Sequence, residues 1–518
     1  MYLRKKLRYR YISKRGRITH TKRIRRRYKL EQYYLGFTDS KSRKSKKKGK
    51  SLQLKNIQAK KNTISHGSNI KHIISLQSKI DLNKYKSRYP KLDIDHVRNN
   101  ISGKFARNAV DHVKKFTVPE IFSLVDSPEE SYDFIYSLFS VLYWGSALKI
   151  TLDYSKCKRI DIDAQVLMDV ILVDFFKYFA KCRKHGKRIV EPTVSLANYG
   201  AEHIRKILFS IGTFKLFNGI KVDYPNILTY DLCIHNKKMK GSDREISSQK
   251  EIHVTNILDY VITCLHRLGK DLTADSLNEL CQVVGEILIN AEEHATTDNR
   301  FSIGFFEETK NEESHHGLFN LVIFNFGQTI YEKFKDPNCP TKEIVKRMEE
   351  ISDKYTKSGL FRAAEFEEET LWTLYALQEG VTSKTNYKKR GNGSIRFIES
   401  FFNLTGTGLW KDDVSKMTIH SGNARIVFDG QHVIRETSKN GEKFKVVTFN
   451  DSGNIEDRPD KNFVTFVPNY FPGTIISAKI LIREDALTVK KGQFEFELKN
   501  ESHGNIQNRP PGVQDSWF

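Results

Sequence analysis

Within the stretch "VVGEILINAEEHA", residues 283–295, Glu286, Asn290 and His294 recur every four positions. Residues four apart share one face of a helix. Val283, Val284, Ile287, Leu288 and Ala291 can then face a core while the polar trio lines a cleft. A magnesium ion prefers hard oxygen ligands and keeps several waters, so one amide oxygen from Asn290 plus phosphate oxygens would satisfy it. A carboxylate one turn earlier, Glu286, could orient a water or take a proton beside a terminal phosphate. A solvated polar face would use the same residue types, so the trio requires supporting elements elsewhere.

Three glycine-bearing segments supply them. "LFNLVIFNFGQTI" is an apolar strand running into Asn325-Phe326-Gly327. "KKRGNGSIRFIESFF" sets Gly391-Asn392-Gly393 directly before an amphipathic helix, and "FPGTIISAKILI" carries Gly473-Thr474 into a further strand. Glycines let the backbone approach a ligand and adopt positive φ. A following helix offers free N–H groups and the positive end of its dipole to phosphate. The long charged segment 331–390 has helical patterns such as "TKEIVKRMEEISDKY" and ends in Lys384, Lys388, Lys389 and Arg390.

This ordered set resembles the GHKL ATPase superfamily, which includes sensor histidine kinases, mismatch-repair ATPases, type II topoisomerases and anti-sigma-factor kinases. "GEILINAEEHA" is similar to its Glu-x-x-x-Asn-Ala-x-x-His box, in the variant of the anti-sigma-factor kinases. The resemblance covers roughly residues 250–482 and implies an α/β sandwich binding ATP and Mg2+. It makes Glu286 the general base and Asn290 the metal ligand. Asn290, His294, Asn325, Gly327, Gly391, Asn392, Gly393 and Thr474 would line the nucleotide. Segment 331–390 would be a mobile lid whose Lys388, Lys389 and Arg390 reach the phosphates. Two departures stand out. The family's base-reading aspartate is Asn325 here, and the second glycine of that box is absent, with Thr329 in "FGQTI". An amide accepts a hydrogen bond but also donates, and it lacks a carboxylate's charge assistance. Weaker adenine selectivity and slow turnover are therefore expected.

Upstream, residues 116–235 read as a smaller α/β domain. "PEESYDFIYSLFSVL" opens a helix at Pro128, and "ALKITLDY" alternates as a half-buried strand. Leu167, Ile171, Phe175, Tyr178 and Cys182 form a helical stripe that stops at Gly186. "KRIVEPTVSLAN" reads as a strand and "AEHIRKILFSIG" as a helix closed by Gly212. This run, about 147–217, resembles the STAS domain of anti-sigma-factor antagonists. Where that family has a phosphorylatable Asp-Ser-Ser-Gly turn, this chain has Asp161, Ile162, Asp163 and Ala164, with no hydroxyl. Asp163 either mimics a permanent charge or simply caps its helix.

The remaining signal is charge. Residues 1–60 hold 23 Lys and Arg against Glu31 and Asp39, an excess of +21 out of the chain's +24. Apolar residues are few, so the segment reads as a disordered basic arm. Arg4, Lys5, Lys6, Arg8, Arg10, Arg23, Arg25, Arg26 and Arg27 are the candidate phosphate contacts, interleaved with Tyr9, Tyr11 and Tyr28. Residues 61–115 read as a connector with a helical pattern near "HVRNNISGKFARNAVDHVKKF", and 483–518 as a tail. Six scattered cysteines without CxxC spacing suggest neither zinc nor disulfides and fit a reducing cytoplasm. No apolar run approaches the ~20 residues of a membrane span. Neither HExxH nor a Walker A sequence occurs.

The expected fold is thus α/β and α+β: a STAS-like domain followed by a GHKL-type sandwich, behind a basic arm. The expected function is a nucleotide-gated switch in bacterial regulation or antiviral defence, with weak ATPase activity. It would bind nucleic acid through the arm and a partner protein through the STAS-like domain, with a homodimer left open. A Ser/Thr protein kinase of the anti-sigma-factor type, or a nucleic-acid-bound scaffold with a degenerate ATP site, are the alternatives.

Overall fold

The chain divides into two units, Met1–Ile73 and Ile74–Phe518, and every residue described below belongs to the second. A computed structural model describes residues 113–144, 149–184, 193–218, 222–236, 243–272, scattered positions from 277 to 297, 299–312, 314–357, 364–383, 393–403, 414–439 and 442–483.

Strands β1 (Val113–Thr117), β3 (Lys149–Asp153) and β5 (Thr193–Ala197) form a parallel sheet in the order β1-β3-β5. A two-residue pair, β2 (Ile121–Phe122) with β4 (Arg159–Ile160), lies between them in sequence. Helices α1 (Pro128–Trp144) and α2 (Ile162–Lys184) make the crossovers that parallel strands require, and α3 (Glu202–Ser210) and α4 (Thr213–Asn218) follow. "VKKF", residues 113–116, which the sequence assigns to the end of a helical pattern, is instead the start of strand β1. Pairing along β3 from Val113–Lys149 to Thr117–Asp153 outweighs its weak helical pattern.

Every residue of α2 from Ile162 to Phe176 is buried, including Asp163, Gln165, Asp169 and Asp174. A helix buried all round must lie between two layers. The second layer is a five-stranded antiparallel sheet in the order β6-β7-β8-β12-β9, built from β6 (Ile227–Asn236), β7 (Asn299–Lys310), β8 (His315–Phe326), β9 (Lys416–Phe428) and β12 (Val464–Arg483). Helix α1 packs on β12, and α2 on β7 and β8. Strand β6 ends one residue past the boundary read at 235. It pairs with β7 from Ile227–Glu307 to Asn236–Asn299 and so belongs to the large sheet. Its closeness in sequence to α4 hides this.

The other face of the large sheet carries α5 (Asp243–Arg267), α6 (Ile330–Lys335), α7 (Lys342–Thr356), α8 (Glu368–Tyr375) and α9 (Gly393–Asn403). Hairpin β10–β11 (Arg435–Lys439, Glu442–Val446) extends beyond it. The described part of segment 331–390 packs against the large sheet. Met348, Leu371 and Trp372 are wholly enclosed in the core this layer shares with the sheet, and Trp372 Nε1 donates to Ser352 Oγ at 3.1 Å. Its charge lies on the outer face of amphipathic helices. The chain is thus a mixed α/β protein with parallel and antiparallel sheets. Among the described residues no helix is long and apolar enough to cross a membrane, and Cys157, Cys233, Cys264, Cys281 and Cys339 are free thiols.

The buried polar groups of α2 need partners. Asp169 accepts from Thr213 Oγ1 at 2.6 Å and Gln165 Nε2 at 2.9 Å. Burial nevertheless pushes its carboxyl up to about 7. The unfolded carboxyl titrates near ~4, so the folded state holds a proton that the unfolded state releases. This contribution is present below about pH 4 and is lost as pH rises through about 7. Asp169→Asn should remove it, flattening stability between pH 5 and 8 by roughly 2–3 kcal/mol relative to wild type. The new amide can accept from Gln165 Nε2 through its oxygen and turn its nitrogen toward Thr213 Oγ1. Denaturant unfolding at both pH values checks this, and an equal slope in the two proteins would contradict it.

Candidate nucleotide site on the large sheet

Strand register places one polar residue from each of the five strands in a single row. His235 pairs with Arg300, Arg300 with Asn325, Asn325 with Thr474, and Thr474 with Ser421. Strand side chains alternate between faces, so the members of such a row share a face. This is the helix-covered face, because Ile323 and Ile476, two residues along, pack into that core. His235, Arg300, Asn325 and Ser421 are buried, and Thr474 is partly exposed.

Asn325 is 3% exposed and its side-chain nitrogen has no hydrogen-bond partner. A buried donor left unmade costs about 1–3 kcal/mol, which a ligand carrying an acceptor would recover. Beside it, Ser421 Oγ lies 2.9 Å from Thr474 Oγ1 and 3.1 Å from the Gly473 carbonyl, and it accepts the Ile330 N–H at 2.9 Å. Arg300 donates to the Leu288 carbonyl and approaches His253 Nδ1 at 3.5 Å. His253 in turn meets the His235 ring edge-on at 4.9 Å.

Two glycines flank the Asn325–Thr474 pair. Gly473 has φ +150°, and a Cβ there would fall 2.1 Å from the Asn325 carbonyl oxygen, so no other residue fits without moving the strands. Gly327 has φ +139° and turns the chain out of β8 into α6. Thr329 and Glu332 form a capping box that starts this helix.

Of the residues singled out from the sequence, Asn325, Gly327 and Thr474 are brought together. Gly393 is the first residue of α9. Val284, Ile287 and Leu288 are helical and buried, as expected for the apolar positions read from the sequence. Glu286, Asn290, His294, Lys388, Lys389, Arg390, Gly391, Asn392 and the arm residues of 1–60 lie outside the described residues. Among the described residues no group of three or more His, Cys, Asp or Glu is placed to hold a metal, and the expected ligand Asn290 is not among them. Arg300 and His235 escape the sequence reading because only strand register aligns them with Asn325. Ser421 escapes it too, because its partners Ile330, Gly473 and Thr474 are distant in sequence.

The opposite face of the sheet meets the small α/β layer through charge. Lys479 Nζ lies 3.2 Å from Asp161 Oδ1, Ser477 Oγ donates to Asp163 Oδ2 at 3.0 Å, and Lys416 Nζ lies 3.0 Å from Asp126 Oδ1. Arg425 donates to the Val125 carbonyl. Burial, and then the neighbouring Asp161 charge, push the Asp163 carboxyl up, while the Ala164 and Leu124 N–H groups and Ser477 oppose them. Burial also pushes Asp126 up, but the Lys416 hydrogen bond and charge outweigh it and bring that carboxyl below its usual range. The turn Asp161–Asp163 is thus a contact inside the molecule. Ser477 is three residues from Thr474 along β12, so Asp163 and the Asn325–Thr474 pair lie on opposite faces of one sheet.

Comparison with known proteins finds no matching family model, no matching curated protein and no matching solved structure.

Proposed function

We propose that this chain binds a purine nucleotide over Asn325 and Thr474 and works as a nucleotide-gated switch. The observation that carries the reading is the unpartnered, buried Asn325 amide nitrogen in a polar row beneath a helical layer, flanked by two glycines of positive φ. Sequence adds the Glu286–Asn290–His294 spacing and the Gly391-Asn392-Gly393 helix start. On this reading the large sheet and its helices are a GHKL-type domain and the smaller layer is a STAS-like domain. Asn290 would ligate Mg2+ through its amide oxygen, and Glu286 would orient or deprotonate a water. Bound ATP·Mg2+ would supply the phosphate chain on which that base acts. The protein would serve in regulation or defence, with the basic arm as its nucleic-acid contact and the α/β layer or a second copy of the chain as the element it moves.

The kinase alternative has less support. Its in-chain acceptor position holds Asp163, which has no hydroxyl, is 1% exposed and sits across the sheet from Asn325. A scaffold with an empty, degenerate site would leave the Asn325 nitrogen permanently unsatisfied.

Asn325→Asp tests the base contact. A carboxylate accepts only, so it should favour the exocyclic amino group of adenine and repel the C6 carbonyl of guanine. The ratio of ATP to GTP affinity should rise by roughly tenfold, since a hydrogen bond to a charged group contributes about 1.5–3 kcal/mol. An unchanged ratio in competition titrations would show that Asn325 does not read the base.

A further inference from the structure

Two hydroxyls at the proposed site, Ser421 and Thr474, can share their protons in more than one way. Ser421 Oγ is within hydrogen-bond distance of both the Gly473 carbonyl and Thr474 Oγ1 while it accepts the Ile330 N–H. A serine has one proton to donate, and so has a threonine. Two arrangements satisfy this count. In the first, Ser421 donates to Gly473 O and accepts the Thr474 proton. In the second, Ser421 donates to Thr474 Oγ1, which frees the Thr474 proton for a ligand and leaves Gly473 O without its partner.

Gly473 ends an irregular part of β12. Its pairing with β9 shifts register between Phe466 and Phe471 and again between Phe471 and Thr474. Within this irregularity, Tyr470 donates its hydroxyl to Glu332 Oε1 at 2.7 Å, and its carbonyl accepts the Tyr136 hydroxyl at 2.6 Å. Tyr136 belongs to α1, in the small α/β layer. One helical turn earlier, the Tyr132 hydroxyl bonds Nδ1 of His420, the residue preceding Ser421, at 2.8 Å. Burial, and then the Arg425 charge, hold His420 down to about 3, so its ring is neutral at physiological pH. The two tyrosines of one α1 face thus grip the two strands that carry Ser421 and Gly473.

We propose that Ser421 and Thr474 form a two-state hydroxyl switch through which occupancy of the site is reported to helix α1. A ligand whose ring nitrogen takes the Thr474 proton drives the second arrangement, releases the Gly473 carbonyl, and loosens the Tyr470–Tyr136 attachment. The ligand class rests on the nucleotide reading above, but the hydroxyl-to-helix link does not.

Hydrogen–deuterium exchange of amides 128–144 tests it, with labelled-ATP titration run on the same full-length samples. In wild type, ATP·Mg2+ should raise exchange in this helix by about fivefold, the effect of losing one typical hydrogen bond. Ser421→Ala should show the raised exchange without ligand and no further rise with it. Tyr136→Phe should keep wild-type ATP affinity and lose the ligand-dependent change. Wild-type exchange in ligand-free Ser421→Ala, or a retained response in Tyr136→Phe, would overturn the switch. Absence of ATP binding by wild type would instead overturn the nucleotide reading, and the ligand-free Ser421→Ala comparison would still judge the link.

Discussion

Glu286→Ala should bind nucleotide like wild type and hydrolyse it about 10²–10⁴-fold more slowly, the usual contribution of a positioned general base. Asn290→Ala should lose the magnesium-dependent part of binding altogether. The two effects separate because the proposed function gives residues four apart in sequence different roles. An amide oxygen is a neutral, hard ligand for the metal, whereas a carboxylate can take a proton from water. Steady-state hydrolysis and magnesium-dependent titration measure the pair. Wild-type affinity retained by Asn290→Ala in the presence of magnesium would remove the metal assignment. Unchanged turnover in Glu286→Ala would remove the base.

Deleting residues 1–60 should abolish nucleic-acid binding while leaving nucleotide binding intact. The arm holds +21 of the +24 net charge, so it is the chain's dominant electrostatic feature. Neutralising 6–10 phosphates would make affinity fall about 10³–10⁵-fold between 50 and 200 mM salt. Tyr9, Tyr11 and Tyr28 add faces for stacking on unpaired bases, so binding should be broad in sequence. Fluorescence anisotropy with short DNA and RNA across a salt series checks this. A truncated protein that binds as tightly as the full chain would place the interface elsewhere. Binding to anionic vesicles alone would make the arm a membrane-surface tail.

The elements were more legible in the sequence than their assembly. Pro128 with two acids marked α1, the Leu167–Cys182 stripe marked α2, and Gly473-Thr474 fell in a strand, because periodicity and turn chemistry are local. Burial of α2 on every side was not legible. Asp163, Gln165, Asp169 and Asp174 look like solvated positions until the layers that cover the helix are in place. The same reason hid the packing of segment 331–390, where Trp372 and Met348 stand among charged neighbours in sequence but face the core in space. Asn325 and Thr474 could be singled out by their glycines. Arg300, His235 and Ser421 could not, since strand register is a non-local property.

The account depends first on a nucleotide entering the sheet's polar row. Titration of labelled ATP with Mg2+ into the full-length protein tests this most directly, alongside Asn325→Leu and Thr474→Val, which keep side-chain volume and remove the polar groups. Saturable binding by wild type, weakened roughly tenfold by each substitution, is the predicted result. No saturation at about 1 mM ATP, where only about 4 kcal/mol of binding is needed, or equal affinity in all three proteins, would contradict it.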